Sequence, residues 1–197
     1  MPPPSFNKQV PATAPCIAGK DIRVNPMRPF FACAARWLPL LPFVLAGVQA
    51  LFWRTRLPER VATHFDGAGN PNGWMGRDAA LWFGLGMCVF LQCVFLGVGR
   101  LIRAVPDSMI NLPDKDYWLA PERREATLAR IEGMLRGMGL MVGCFVLAVQ
   151  EASFRANRAP GQRLGGDAIV LIMGFLILEL IWVVRFLAMW NAPRDAR

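Results

Sequence analysis

The chain's one histidine, His64, precedes Asp66 by two residues in the stretch LPERVATHFDGAGNPNGW, 57–74. Extended chain from Arg60 to Asp66 would put Ala62, His64 and Asp66 on one face, and Val61, Thr63 and Phe65 on the other. A His–Asp pair is the beginning of a general-base constellation, but no nucleophile accompanies it, so catalysis is the weakest reading. A pH-sensitive or ligand-contacting role for His64 needs only an exposed position. The plainest reading, and the favoured one, is a capped turn held by local hydrogen bonds. Gly67, Gly69, Asn70-Pro71 and Asn72-Gly73 supply turns, with Asn72-Gly73 suited to a hairpin turn that needs positive φ at both central residues. Trp74 is expected to fold back toward the membrane surface. Candidate ligand contacts are therefore His64, Phe65, Asp66, Gly69, Asn72 and Trp74. A calcium loop starting at Asp66 is excluded, because Ala68, Pro71 and Arg77 occupy positions that need a ligand, a glycine and an acid.

A second constellation lies in INLPDKDYWLAPERREATLARIEGM, 110–134. Asn111, Lys115, Asp116, Tyr117 and Trp118 put two aromatics beside opposite charges, a composition able to dock a ligand or a partner protein. Interfacial anchoring by Tyr117 and Trp118 is the favoured alternative. The third candidate is a pair inside apolar runs. Glu179 must be paired, protonated or turned to a cavity. Counted along their helices, Glu179 lies ~17 Å and Gln92 ~20 Å deep, so a hydrogen bond between the Gln92 amide and a protonated Glu179 is expected. Its rival is an ion or substrate path through Glu179.

These residues need elements to position them, and the composition says which. With 54% hydrophobic residues the chain is too apolar for one soluble core, so lipid is the expected solvent. The net charge of +8 does not point to nucleic acid, because residues 1–36 hold five basic groups against one acid and no basic stripe carries interleaved aromatics. Five cysteines, at 16, 33, 88, 93 and 144, form no C-x-x-C pair and read as small core residues. A single histidine leaves no metal set to expect, and no nucleotide-binding loop or serine elbow implies a cofactor.

Four membrane spans follow. Residues 79–99 carry no charge over 21 residues, enough for the ~30 Å hydrocarbon core. Residues 37–53 form a shorter uncharged run, and 137–150 spans only if Arg136 and Glu151 reach the interfaces. Residues 168–190 form the fourth, with Glu179 and Arg185 inside it. The expected class is an all-α, four-span transmembrane helix bundle with a turn-rich outer loop and a cytoplasmic amphipathic helix. Pro121 suits the first turn of that helix, Glu122 and Glu125 suit its positive end, and Leu128, Ile131 and Leu135 form its apolar stripe.

Lys and Arg are more numerous in the N-terminal segment and in 100–136 than in 54–78 or 154–167. That places both termini in the cytoplasm and loops 54–78 and 154–167 outside. Trp37, Trp53, Trp82 and Trp190 fall near the expected interfaces. The chain divides into a proline-rich disordered tail (1–27), a two-span module (28–104), a cytoplasmic connection (105–136), two further spans (137–192) and a short tail (193–197). Met27 is a second candidate start. From it the sequence has a basic beginning, an apolar stretch and a V-Q-A end like a cleavage site, although the apolar run continues to Trp53. Glycines at 133, 137, 139 and 143 allow close helix approach, in the bundle or in a homodimer.

Leu57-Pro58, Val61, His64-Phe65, Gly69 and Asn72-Gly73-Trp74, set between two spans, resemble the signature of the domain of unknown function 1648 family. Ala62 departs from that pattern, standing where proline is frequent. The resemblance covers about residues 38–100 and implies a bacterial integral membrane protein. The same module resembles the first spans of sporulation-delay immunity proteins. Together the motifs and the resemblance imply a non-enzymatic protein of the bacterial inner membrane. It would bind or sense an envelope peptide or small ligand through 57–74, and relay to or dock a cytoplasmic protein through 110–134. A small transporter or membrane enzyme using Glu179 is the alternative.

Overall fold

The computed structural model describes residues 37–190. A 3-10 turn, Leu38–Leu40, runs into helix α1, Leu41–Trp53. Strands β1, Arg60–Phe65, and β2, Pro71–Gly76, follow, then helix α2, Arg77–Leu101. Single helical turns at Asp107–Met109 and Lys115–Trp118 lead to helix α3, Arg124–Ala156. A turn at Pro160–Gln162 precedes helix α4, Gly166–Ala188. The expected tails, the start at Met27, Cys16 and Cys33 lie outside the described residues.

Among the described residues three helices are long and apolar enough to cross a membrane: α2, α3, and α4 with the turn before it. Leu38–Trp53 is a shorter apolar helix, covering ~24 Å against a hydrocarbon core of ~30 Å. The bundle is apolar on its outside. Ile169, Val170, Met173, Leu176, Ile177, Leu180 and Val184 of α4 are all exposed, an arrangement that lipid favours and water penalises.

The apolar run 137–150 belongs to a helix of 33 residues, because the charges that bound it are matched along the same helix. Arg136 pairs with Glu132, and Arg155 Nε lies 2.9 Å from Glu151, both at the four-residue spacing that supports a helix. The segment expected as an amphipathic helix leading into this run is continuous with it. The chain turns at 121–123, and α3 then runs unbroken from Arg124, with Leu128 and Ile131 buried.

The glycines of α3 set its neighbours. Gly139 and Gly143 face α2 and α1: a Cβ on Gly139 would lie 2.8 Å from Cβ of Phe95, and one on Gly143 would strike Gln92 and Pro42. Gly137 lies 200° away around the helix from Gly139 at ~100° per residue, and it receives the Trp182 ring of α4. Phe145 of α3 stacks on Phe175 of α4 at 3.8 Å. Three of the four glycines thus admit this chain's own helices, while Gly133 has open space beside it.

That geometry overturns the expected Gln92–Glu179 bond. Gln92 is fully buried and its Nε2 donates to the Gly139 carbonyl at 2.6 Å. Glu179 shares the face of α4 that carries Phe175 and Trp182, so it meets the other side of α3. The two residues sit at similar depth with a helix between them. The cysteines also divide: Cys88 is buried beside Ala46 and Leu147, and Cys93 and Cys144 are exposed. So do the tryptophans, since Trp37 and Trp82 face outward whereas Trp53 and Trp190 are core.

The 57–74 segment departs from the all-α expectation. It is an antiparallel hairpin, β1 against β2, and its turn is not at Asn72-Gly73. The reversal lies at 66–70, where Asp66 N–H donates to Asn70 O and Gly69 N–H to Asp66 O, each at 2.9 Å, with Gly69 at φ +79°. Asn72-Gly73 lies inside β2 because Gly73 is opposite His64, whose Cβ would be 2.9 Å from a Cβ there. A register shift beyond Ala62 breaks the expected alternation, and Val61 and Ala62 are both fully buried.

Overpacking at α3 tests this arrangement. Gly139→Val should lower the unfolding temperature in detergent, by an amount equivalent to ~1–3 kcal/mol. Gly86→Ala, with nothing within 4 Å of its new Cβ, should leave it unchanged or slightly raised.

Candidate functional site

At one end of the bundle the hairpin is clamped to the last turn of α3. Asn157, just past the helix, accepts from Ala62 N–H at 2.7 Å through Oδ1 and donates to Ala62 O at 2.9 Å through Nδ2. Ser153, one turn earlier on α3, donates from Oγ to the same carbonyl at 3.3 Å. Among the described residues β1 has a strand partner on one edge alone, so these side chains satisfy the peptide groups of its other edge. Beneath, Val61 packs with Trp53, Leu57, Ala80, Leu81 and Phe154. Glu151 ties α1 to this end by accepting from Trp53 Nε1 at 2.8 Å and from Gln49 Nε2 at 3.1 Å.

The second loop at this end, 157–165, docks on the hairpin tip. Leu164 N–H donates to Gly69 O at 2.8 Å, Arg163 donates to Ala68 O at 3.2 Å, and Trp74 Nε1 reaches Gln162 Oε1 at 3.4 Å. Trp74 therefore covers the neighbouring loop. A Cβ on Gly69 would lie 2.5 Å from Leu164 O, so this position needs glycine both for its positive φ and for the close approach.

His64 and Asp66 do not act together. His64 is exposed over Gly73, whereas Asp66 Oδ1 accepts from the Ala68 and Asn70 N–H groups at 2.9 and 2.8 Å, and Oδ2 from Asn70 Nδ2 at 3.2 Å. The backbone and side-chain bonds from Asn70, then that from Ala68, hold the Asp66 carboxyl below the ordinary carboxylate range. Phe65 is half-buried and Asn72 is exposed. The Arg60 guanidinium lies 4.8 Å from the Trp74 ring centroid, so the outward surface combines a cation–π pair, an imidazole and an amide.

The other end of the bundle holds the second set of predicted residues, and the structure uses its aromatics for packing. Trp118 meets Trp190 edge to face at 5.4 Å and donates from Nε1 to Trp190 O at 2.9 Å. Arg123 lies over the Tyr117 ring at 4.1 Å and donates to the Tyr117 carbonyl. Thr127 Oγ donates to Trp118 O at 2.8 Å. Asn111 and Asp116 remain exposed, with Lys115 half-buried between them. Around them Arg124 pairs with Asp107, and Arg103 with Glu125 and Glu132. Among the described residues no group of acids, cysteines or histidine could hold a metal ion.

Residues 40–88 match the family model described as a domain of unknown function (DUF1648). The match covers about a quarter of the 197 residues. No curated protein and no solved structure matches the chain, so the likeness to sporulation-delay immunity proteins remains a resemblance of sequence. The matched DUF1648 segment takes in α1, the hairpin and the first half of α2, and it ends before α3. Ser153 and Asn157, which fasten the hairpin, and Glu151, which fastens α1, lie outside it. Sequence reasoning missed all three. Ser153 and Asn157 are spaced to share a helical face, but nothing local announces Ala62 as their partner.

Removing the clamp should loosen β1 selectively. Asn157→Ala strips a buried N–H of its acceptor, a change of about 1–3 kcal/mol, and should speed hydrogen exchange at the Ala62 amide while leaving α2 amides protected. Acid should act on the turn instead. The turn's support from ionised Asp66 is present above the unfolded value of 3.8 and is lost as pH falls through the lowered folded value. The Ala68 and Asn70 amide shifts should titrate with a midpoint below 3.8, and Asp66→Asn should abolish that titration.

Proposed function

We propose that this chain is a non-enzymatic protein of the bacterial inner membrane that senses an envelope ligand at the hairpin and relays its binding to the cytoplasmic end. All four helices cross the bilayer in this reading, with both termini in the cytoplasm and the hairpin outside. The excess of Lys and Arg in 100–136 over 54–78 supports that direction. The observation that carries the reading is α3. One end of this unbroken helix holds the Ala62 peptide through Ser153 and Asn157. The other builds the cytoplasmic core through Leu128 and Ile131, ~40 Å away along the same rod. A tilt of the hairpin is thereby delivered to the 110–134 segment without crossing a loop.

The ligand surface is Arg60, His64, Asn72 and Trp74. Its chemistry suits a peptide or small molecule bearing an acidic or aromatic group. Asn111 and Asp116, the exposed members of the second set, are the contacts offered to a cytoplasmic protein partner. One observation favours a second reading, a path for ions or substrate: Glu179 Oε1 is buried with no hydrogen-bond partner among the described residues. Such a path needs a second polar group facing it, and Gln92 faces the opposite side of α3. Glu179→Gln that keeps both abundance and phenotype would remove this second reading.

The test uses single cysteines in a cysteine-free background. With an impermeant thiol reagent, Asn70→Cys should be labelled on intact cells and Asn111→Cys only after lysis. The reverse pattern would overturn the orientation. In isolated membranes, adding Asn157→Ala should raise the labelling rate at position 111 severalfold. An unchanged rate would rule out relay through α3.

A further inference from the structure

We propose that a cavity at the cytoplasmic end of the bundle binds one anionic phospholipid, gripping its phosphate between Arg100 and Arg136. The cavity measures about 860 Å³ and opens where the 3-10 turn before α1, the end of α2 and the first half of α3 diverge. That volume lies inside the ~300–1,000 Å³ range of pockets that enclose small ligands. Gly133 contributes to the opening, since nothing lies within 4 Å of where its Cβ would be.

The lining divides by polarity. Leu40, Leu96 and Leu140 form an apolar wall, the surface an acyl chain requires. Arg100 and Arg136 supply guanidinium groups at the end of the bundle, where forked donors match phosphate oxygens. Trp37 lines the same opening and is 62% exposed, as suits a ring at the level of lipid headgroups.

Charge selects an anion. Arg136 pairs with Glu132 on its own helix, but the Glu132 carboxylate is shared with Arg103, which also binds Glu125. Arg100 has no ion-pair partner among the described residues. Glu125 also touches Arg124, which Asp107 matches, so four guanidinium groups face three carboxylates, and the unmatched one, Arg100, lines the cavity. A basic pocket between membrane helices on the cytoplasmic side is the arrangement that holds anionic headgroups. A zwitterionic lipid would bring a cation to a rim already short of acids.

The inference rests on the membrane reading proposed above, and its test is separable from the rest of that reading. Full-length protein would be delipidated in mild detergent and titrated with phosphatidylglycerol or phosphatidylcholine, with bound lipid counted by native mass spectrometry. One phosphatidylglycerol should be retained in preference to phosphatidylcholine. The double substitution Arg100→Ala/Arg136→Ala should weaken retention roughly thirtyfold, at about a factor of five per basic group. Gly133→Phe, which fills the cavity without removing charge, should also abolish it. Arg158→Ala, at the hairpin end, should not change it. Equal binding of the two lipids would overturn the proposal, as would wild-type retention by both cavity variants. Retention seen only after deletion of residues 1–36 would overturn it too, by making the chain's own segment the occupant. A reversed labelling pattern at positions 70 and 111 would move the site to the other leaflet and leave retention unchanged.

Discussion

The hairpin end of this molecule depends on how one buried peptide is satisfied. Ala62 is fully buried, and among the described residues β1 has a strand along only one edge. A two-stranded ribbon is marginal in water, and its bare edge invites pairing with another chain. The Asn157 carboxamide resolves both problems by presenting an acceptor and a donor as the peptide of a third strand would. The arrangement requires α3 to end at a fixed height and the 157–165 loop to turn back at once. That loop then meets Gly69, Ala68 and Trp74. Hairpin, loop and helix end therefore form one unit, and removing Asn157 would expose more than one hydrogen bond.

Inside the bundle, glycine placement does comparable work by different means. Apolar side chains gain nothing by leaving lipid for one another, so close approach and polar contacts must organise membrane helices. Gly139 and Gly143 let α1 and α2 come near enough for Gln92 to reach a helix carbonyl and for Cys88 to reach the Pro42 carbonyl at 3.5 Å. Gly137 provides the same opening on the opposite face for Trp182. α3 is thereby the axis on which the other three helices are arranged, and this is why it can join the two ends. α4, held along its length by the Phe175 ring stack and Trp182 and at its end by Phe186 and the following Trp190, leaves most of its surface to the surrounding solvent.

What was legible in the sequence follows the range of the interaction concerned. The apolar runs show directly, since length and hydropathy are local, and residues 79–99 lie within α2. The reach of α3 was harder, because Arg136 and Glu151 read as borders when the matching charges one turn beyond them are not weighed. The hairpin was half legible. Turn residues were evident, but two candidates competed, and the choice was made by contacts far along the chain: Leu164 on Gly69, and His64 against Gly73. Counting along the helices gives Gln92 and Glu179 similar heights. It could not say that α3 stands between them, since depth carries no angular information. Tyr117 and Trp118 have the composition of a docking site, yet Trp190 and Arg123 draw them into packing.

The departure of Ala62 from the resembled family pattern has a physical reading in this setting. Proline, frequent there in the family, has no N–H and would leave Asn157 Oδ1 without its donor. It would also leave no donor needing satisfaction on that strand edge. Ala62 and Asn157 are then two halves of one solution in this chain. The matched DUF1648 segment holds the first half and ends well before the second. A hairpin excised at residue 88 would keep Val61 and Trp53 but lose Phe154 from the same cluster. The hairpin of this chain is thus finished by helix α3, which supplies the amide partner and the aromatic ring that the matched segment lacks.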